Sequence, residues 1–285
     1  MLITNPDGLL CVGELMNENR HGGFHFPINN RLRGAALSQS KISVVIPVYN
    51  EEKNILNCID KLYGYLNADF EDFEIILVND GSTDNTLQLF IQREDKRNNI
   101  SMITYTPNKG KGNAVRTGIL AASGDRIVCT DCDLAYGVEV IGEMAKRLSD
   151  YDLVIGSRNL TKEGHKGYNL IRKLASKVYI KLLNLAAGFR HTDSQCGIKA
   201  YRNEEAKRIF SNCITNGFAF DLEVLMIAEK AGFSIGEHPV SIINHSNQDS
   251  KVRVFKDTKK MLSDLKRIKK HVSELKDIKD LTKES

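Results

Sequence analysis

Between Lys41 and Tyr136 the apolar residues fall into two kinds of run that take turns along the chain. Ile42-Ser43-Val44-Val45-Ile46-Pro47 is short, β-branched and closed by proline, the pattern of a buried strand with a sharp exit. Asn50-Glu51-Glu52 then opens a helix, with Ile55, Ile59, Leu62 and Leu66 at spacings of three and four. Phe73 to Val78 repeats the strand pattern, and Asn79-Asp80-Gly81-Ser82-Thr83-Asp84 supplies turn and capping residues ahead of a helix over Thr86 to Arg93. Ile100 to Tyr105 is the next strand. A helix follows Asn108-Lys109-Gly110-Lys111-Gly112-Asn113 and runs through Ala122, and Ile127-Val128-Cys129 is a strand again. Buried strands alternating with helices predict an α/β fold whose sheet is mostly parallel, with helices as crossovers.

The ends of the chain read differently. Met1 to Ser40 has little periodicity, with Gly22-Gly23 and Asn29-Asn30, and reads as a poorly ordered arm. Asn169 to Ala187 mixes Leu170, Ile171, Leu174, Val178, Leu182 and Leu185 with Arg172, Lys173, Lys177 and Lys181, an amphipathic basic helix that suits a membrane surface and suits ordinary packing equally. Leu262, Leu265, Ile268, Val272, Leu275 and Ile278 predict a second amphipathic helix in a tail over 256–285. Its apolar face could meet lipid, a membrane-protein partner or a second copy of the chain.

Composition narrows the class. A chain of 285 residues with 41% hydrophobic and 27% charged residues is ordinary for a globular protein with a large core. No run of about 18 apolar residues occurs and the N-terminus lacks signal-peptide character, so the expectation is a cytoplasmic protein with no span. The six cysteines are scattered and form no disulfide framework. Cys129 and Cys132 form a lone C-x-x-C, readable as half a zinc site or a redox pair, but no second pair accompanies it. Lys251 to Ser285 carries twelve Lys or Arg against six Asp or Glu, while the whole chain is only +4. That basic end could face phosphates, an anionic membrane or plain solvent. It lacks the interleaved aromatics of a nucleic-acid surface, and no nucleic-acid partner is expected.

Candidate chemistry concentrates where strands end. Asp131 and Asp133 close the Ile127 strand one residue apart, and two such carboxylates repel unless a cation joins them. Mg2+ or Mn2+ takes one or two carboxylates together with substrate phosphates and water, so the implied ligand is a metal diphosphate. Pro47 to Glu51 and Asp80 lie at other strand ends of the same predicted sheet, where ligands of open α/β folds bind. Gly110-Lys111-Gly112 is too short for a P-loop and lacks the third glycine of a dinucleotide fingerprint.

Four runs in order, Val44 to Glu51, Val78 to Asp84, Asn108-Lys109-Gly110 with Ala114-Val115-Arg116, and Asp131-Cys132-Asp133, resemble the inverting nucleotide-sugar glycosyltransferases of family 2, with the GT-A fold. The likeness covers about 41–255, which is taken as the catalytic domain. Val154 to Arg158, Asp193 to Arg202 and Phe218 to Glu223 are similar to the branch that glycosylates polyprenyl phosphates. Mannosyl members have a glutamine two residues past the second aspartate; Ala135 stands there, which favours the glucosyl side.

The resemblance implies a donor resting on Pro47, Tyr49, Glu51, Val78, Asp80, Lys111, Cys132 and a lid lysine, Lys251, with Asp80 accepting an N–H from a uracil or guanine ring. UDP-glucose is the favoured donor and GDP-mannose the alternative. Asp131 and Asp133 would hold the metal. Arg158, Arg172 and Ser176 would approach the acceptor phosphate, and Asp193 and Gln195 would shape the sugar pocket. The lid differs from that of relatives, since His245 replaces an arginine six residues before Lys251. A phosphate monoester is largely ionised at pH 7, its second pKa being near ~6, and needs no base. A saccharide hydroxyl would need one, and Asp193, Asp221 and Glu223 are the candidates. The expected activity is therefore metal-dependent hexosyl transfer to a polyprenyl phosphate, by an enzyme peripherally attached to the cytoplasmic membrane face. Transfer to a saccharide hydroxyl, or nucleotide-sugar binding without catalysis, are the alternatives.

Overall fold

Alternation along the central strands sets the layers. The computed structural model describes residues 2–4, 10–12, 40–93, 97–161, 188, 191–243 and 254–275. Its strands are β1 (Leu2–Thr4), β2 (Leu10–Val12), β3 (Ile42–Val48), β4 (Phe73–Asp80), β5 (Ile100–Tyr105), β6 (Arg126–Cys129), β7 (Leu153–Ser157), β8 (Lys199–Arg202) and β9 (Ile235–Pro239). They form one sheet in the order β1-β2-β5-β4-β3-β6-β8-β7-β9. The helices are α1 (Ile55–Asp69), α2 (Thr86–Gln92), α3 (Lys111–Ala121), α4 (Glu139–Arg147), α5 (Asn203–Ser211), α6 (Phe220–Ala231) and α7 (Val254–Glu274).

In β3, Ile42, Val44, Ile46 and Val48 face one core with α1 and α4, while Val45 faces the other with α3, α5 and α6. β4 alternates the same way, Ile75 and Leu77 against Ile76 and Val78. Period-two alternation in strands apolar on both faces produces this three-layer sandwich. The α3 helix lies very close to the sheet at Gly118, where a Cβ would collide with Val45 Cγ1 and come within 3.0 Å of Val78 Cγ2.

Topology brings the loops together. β5, β4, β3 and β6 are mutually parallel, so Tyr105, Asp80, Val48 and Cys129 end on one rim. β8 runs antiparallel to β6 with Lys199 opposite Cys129, so it starts from that rim. β7 is antiparallel to β8 and parallel to β9, which returns Ser157 and Pro239 there as well. A strand inserted backwards thus adds the Arg158 loop and the Asp193–Ile198 loop to a rim already formed by the nucleotide-side loops.

Several details depart from the sequence reading. The first helix starts at Ile55, later than Asn50, because Asn50 takes φ +54° and the Glu51 carbonyl accepts N–H from both Asn54 and Ile55, a tight turn ahead of the helix. Inside the expected N-terminal arm, β1 and β2 pair with each other and β2 pairs with β5, extending the sheet edge. Cys129 lies in the core on one face of the sheet and Cys132 in the core on the other, so the C-x-x-C is neither half a zinc site nor a redox pair. In α7, Leu265, Ile268 and Val272 are buried on the domain beside α6, so that part of the apolar stripe is spent within the chain. The Asn169–Ala187 helix and the Ser246–Lys251 lid lie outside the described residues. No helix among the described residues is long and apolar enough to cross a membrane.

Candidate active site

The loops after β3 and β4 are stitched to each other. Asn50 N–H donates to Ser82 Oγ at 2.9 Å, and Thr83 N–H donates back to Asn50 Oδ1 at 2.8 Å. Glu51 N–H donates to Thr86 Oγ1 at 2.8 Å, and Glu52 N–H to Asp84 Oδ2 at 3.1 Å. Ser82, Asp84 and Thr86 thereby each satisfy a backbone N–H of the facing loop and Asn50 satisfies that of Thr83, which fixes a wall without regular structure. Tyr49 stands on this wall 40% exposed, with Pro47 and Glu51 half-buried beside it.

Asp80 anchors the next loop. It is buried, and its carboxylate accepts N–H from Lys109 at 2.8 Å, Gly110 at 2.9 Å and Asn108 Nδ2 at 2.8 Å, with the Tyr105 hydroxyl also bonded to it. A carboxylate has about four acceptor positions, so little capacity is left for the base ring expected there. In the structure Asp80 holds the turn that starts α3. Gly110 makes that turn at φ +103°, where a Cβ would also strike the Asn216 carbonyl.

That turn delivers Lys111 to the aspartate pair. Lys111 Nζ lies 2.5 Å from Asp131 Oδ1, with the two side chains 25% and 37% exposed. Burial works against the ammonium, but the carboxylates of Asp131 and Asp221 outweigh it and raise its pKa. Asp133 is held by the N–H of Ala135 at 3.1 Å, which the chain reaches through Leu134 in a left-handed conformation at φ +47°. A buried leucine at positive φ costs on the order of 1–3 kcal/mol, and such strain collects at functional loops. Burial pushes the Asp133 carboxyl up and the neighbouring Asp131 charge pushes it further, as two like charges in one pocket must. Asp131 is pressed from the other side by Gly197, where any Cβ would collide with its Oδ2.

Arg158, at the exit of β7, does not stand alone. Its Nε and Nη2 donate to the two oxygens of Asp193 at 2.7 and 3.0 Å, a forked pair in which Asp193 is fully buried. Burial alone would raise the Asp193 carboxyl; the hydrogen bonds and charge of Arg158 hold it below the usual range. Among the described residues two of the guanidinium's five N–H groups are used, both on Asp193. Gln195 is half-buried, and its Nε2 is a buried donor without a hydrogen-bond partner among the described residues.

Behind this loop Lys199 Nζ donates to the Cys196 carbonyl at 2.6 Å and pairs with Asp221 at 2.5 Å, both side chains being buried. Glu223, with no exposure, accepts N–H from Ile214 at 3.0 Å and Thr215 at 2.8 Å. All three base candidates are therefore committed: Asp193 to Arg158, Asp221 to Lys199 and Glu223 to a loop backbone.

The rim thus gathers Pro47, Tyr49, Glu51, Asp80, Lys111, Asp131, Asp133, Arg158, Asp193 and Gln195. It does not gather Val78 or Cys132, two expected donor contacts whose side chains are buried in the core. Val78 lies one pleat below the strand end that carries Asp80, within the core, and Cys132 turns from the loop into the opposite core between the two aspartates. Arg172, Ser176 and Lys251 lie outside the described residues. Sequence reasoning missed Lys199, although a lysine leading the apolar strand Lys199-Ala200-Tyr201 was a signal that a buried carboxylate waits for it.

A divalent metal fits the donor set. Two adjacent carboxylates, with a lysine ammonium already drawn to one of them, mark a place where positive charge is stabilised. No cluster of three or more His, Cys, Asp or Glu among the described residues could hold a metal alone. Mg2+ and Mn2+ accept such partial sites, filling the remaining positions with phosphate oxygens and water.

A three-layer α/β sandwich with an Asp-x-Asp pair on the carboxyl rim of its sheet is the GT-A architecture. The chain belongs to glycosyl transferase family 2, whose family model matches residues 43–210. It is 32% identical over 216 residues to a dolichyl-phosphate beta-glucosyltransferase of Trichomonas vaginalis, an alignment covering 71% of this chain and 64% of that protein. It is likewise 32% identical over 216 residues to the dolichyl-phosphate beta-glucosyltransferase of Homo sapiens, covering 70% of this chain and 67% of that one. The chain therefore spans just under two-thirds of the first relative's length. Among solved structures, glucosyl-3-phosphoglycerate synthase from Mycobacterium tuberculosis, in complex with Mn2+, UDP and glucosyl-3-phosphoglycerate, superposes with a TM-score of 0.62 at 20% identity over 86% of each chain. At that identity the likeness is one of fold.

Proposed function

We propose that this protein transfers glucose, with inversion, from UDP-glucose to a polyprenyl phosphate, using Mg2+ or Mn2+ at Asp131 and Asp133. The observation that carries the proposal is the rim itself: Asp131, Asp133 and Lys111 on one side, and the Arg158–Asp193 fork on the other. A bound dication there would neutralise the diphosphate as it leaves. Lys111 supplies a positive charge beside it, and the stitched Asn50–Thr86 loops hold the wall on which Tyr49 can cover the nucleotide. The dolichyl-phosphate relatives and a fold neighbour solved with Mn2+ and UDP-glucose support the choice of donor and acceptor.

The acceptor follows from protonation. With Asp193, Asp221 and Glu223 each committed to another group, none is poised to take a proton from a sugar hydroxyl. An ionised phosphate has no such proton to lose and needs cations to position it, which Arg158 can supply in paired N–H groups. Arg172 and Ser176 would complete that site, and Lys251 would close over the donor. Access to a lipid phosphate implies peripheral attachment to a membrane face.

The test is transfer from radiolabelled UDP-glucose and GDP-mannose to a short-chain polyprenyl phosphate, with Mn2+ present. The expected product is an organic-extractable glucosyl lipid, lost by ~100-fold or more in Asp133→Ala. Label moving only to a saccharide acceptor, or no transfer at all, would overturn the proposal.

A further inference from the structure

Lys111 has two carboxylates to choose from. Asp131 Oδ1 is 2.5 Å from its Nζ, and the carboxylate of Asp221 also acts on it from the first turn of α6. Asp221 is itself pinned at 2.5 Å by buried Lys199, which also donates to the Cys196 carbonyl. The backbone beneath Lys111 is fixed: a Cβ at Gly112 would lie 2.6 Å from the Thr215 carbonyl and 2.7 Å from Phe220 Cβ. Asp131 has Gly197 packed closely against its Oδ2 on the other side. A lysine side chain has four rotatable bonds, so its ammonium can change partner while this backbone stays in place.

We propose that Lys111 is a resident counter-ion for Asp131, which a free divalent metal must displace and which a nucleotide diphosphate draws away. This inference rests on Asp131 and Asp133 being metal ligands. An ammonium and a dication sharing one carboxylate repel strongly at such distances. Metal alone therefore binds weakly, since it must expel Lys111 without offering it a new anion. A diphosphate offers that anion and brings oxygen ligands as well. Metal and diphosphate consequently favour each other's binding, and by linkage they do so by the same factor.

The test is Mn2+ binding followed by electron paramagnetic resonance of the free ion, with and without UDP, and needs no turnover. Wild type is compared with Lys111→Met, Lys111→Gln and Lys111→Arg, with near-ultraviolet circular dichroism as the check on folding. Without UDP, the two uncharged variants should bind Mn2+ roughly tenfold more tightly than wild type. The arginine variant should stay within about threefold of wild type, since it keeps the charge. The factor by which UDP tightens Mn2+ binding should shrink correspondingly in the uncharged variants. Folded uncharged variants that bind Mn2+ no more tightly than wild type, with UDP coupling intact, would overturn the role of Lys111. Wild type that takes up no Mn2+ even at saturating UDP would instead remove the metal reading of Asp131 and Asp133, and this inference with it.

Discussion

Arg158 and Asp193 illustrate what a buried fork does to the groups that make it. Asp193 has no exposure, and burial would raise its carboxyl, but the Arg158 guanidinium, helped by the Arg158 backbone N–H and the charge of Lys199, holds it below the usual aspartate range. A depressed pKa contributes stability that is present above the unfolded value of about 3.9 and is lost as pH falls through the lower folded value. In Arg158→Met the main support is gone, with only the backbone N–H and Lys199 left against burial, so the Asp193 pKa moves up. Near pH 7 that variant carries an unpaired buried carboxylate; as pH falls through the raised pKa, a proton relieves it. The gap in melting temperature between wild type and Arg158→Met should thus be widest near pH 7 and narrow towards pH 4, read by thermal scans across that range. A gap that stays constant would mean Asp193 is not held ionised by Arg158. At this scale Asp131 and Asp133 were legible, because an apolar run ending in two acids marks the end of a strand. Val78 and Cys132 were misplaced, because a motif conveys nearness along the chain and not the direction of a side chain.

Among the elements, α6 joins the site to the rest of the fold. Its first turn carries Asp221 towards the lysines, and one residue pair further on Glu223 holds the Ile214–Thr215 backbone. A carboxylate that accepts two backbone N–H groups out of solvent is structural, and replacing it leaves a donor facing a donor. Glu223→Gln should cost about 1–3 kcal/mol of unfolding free energy, read from denaturant midpoints. Turnover per folded molecule should stay within about threefold, since a general base contributes at least ~100-fold. A loss of that size at unchanged stability would make Glu223 the base and the acceptor a hydroxyl. The tail helix shows how far periodicity reaches. Its three-and-four spacing located α7, but whether the apolar stripe met lipid or protein depended on α6, whose Lys230 Nζ receives the end of α7 by donating to the carbonyls of Val272, Ser273 and Leu275. The strands β1 and β2 escaped notice because three residues each are too few to show a period.

For the molecule as a whole, the parallel half of the sheet was readable from strand and helix in alternation, and with it the rim on which Asp80 and Asp131 meet. The reversed strand β8 was not readable. Lys199 to Arg202 is a short run whose direction is set by pairing with β6 and β7, and that reversal brings the Asp193–Gly197 loop against Asp131. Residues distant in sequence converge there, and their proposed task is to bind a diphosphate through a divalent metal. Calorimetric titration of UDP-glucose into wild type and Asp133→Asn, each in Mn2+ and in EDTA, tests it most directly. Tight binding is expected only for wild type in Mn2+, with affinity at least ~tenfold weaker in the other three conditions; equal affinity in all four would mean that no metal-bound diphosphate is held at this rim.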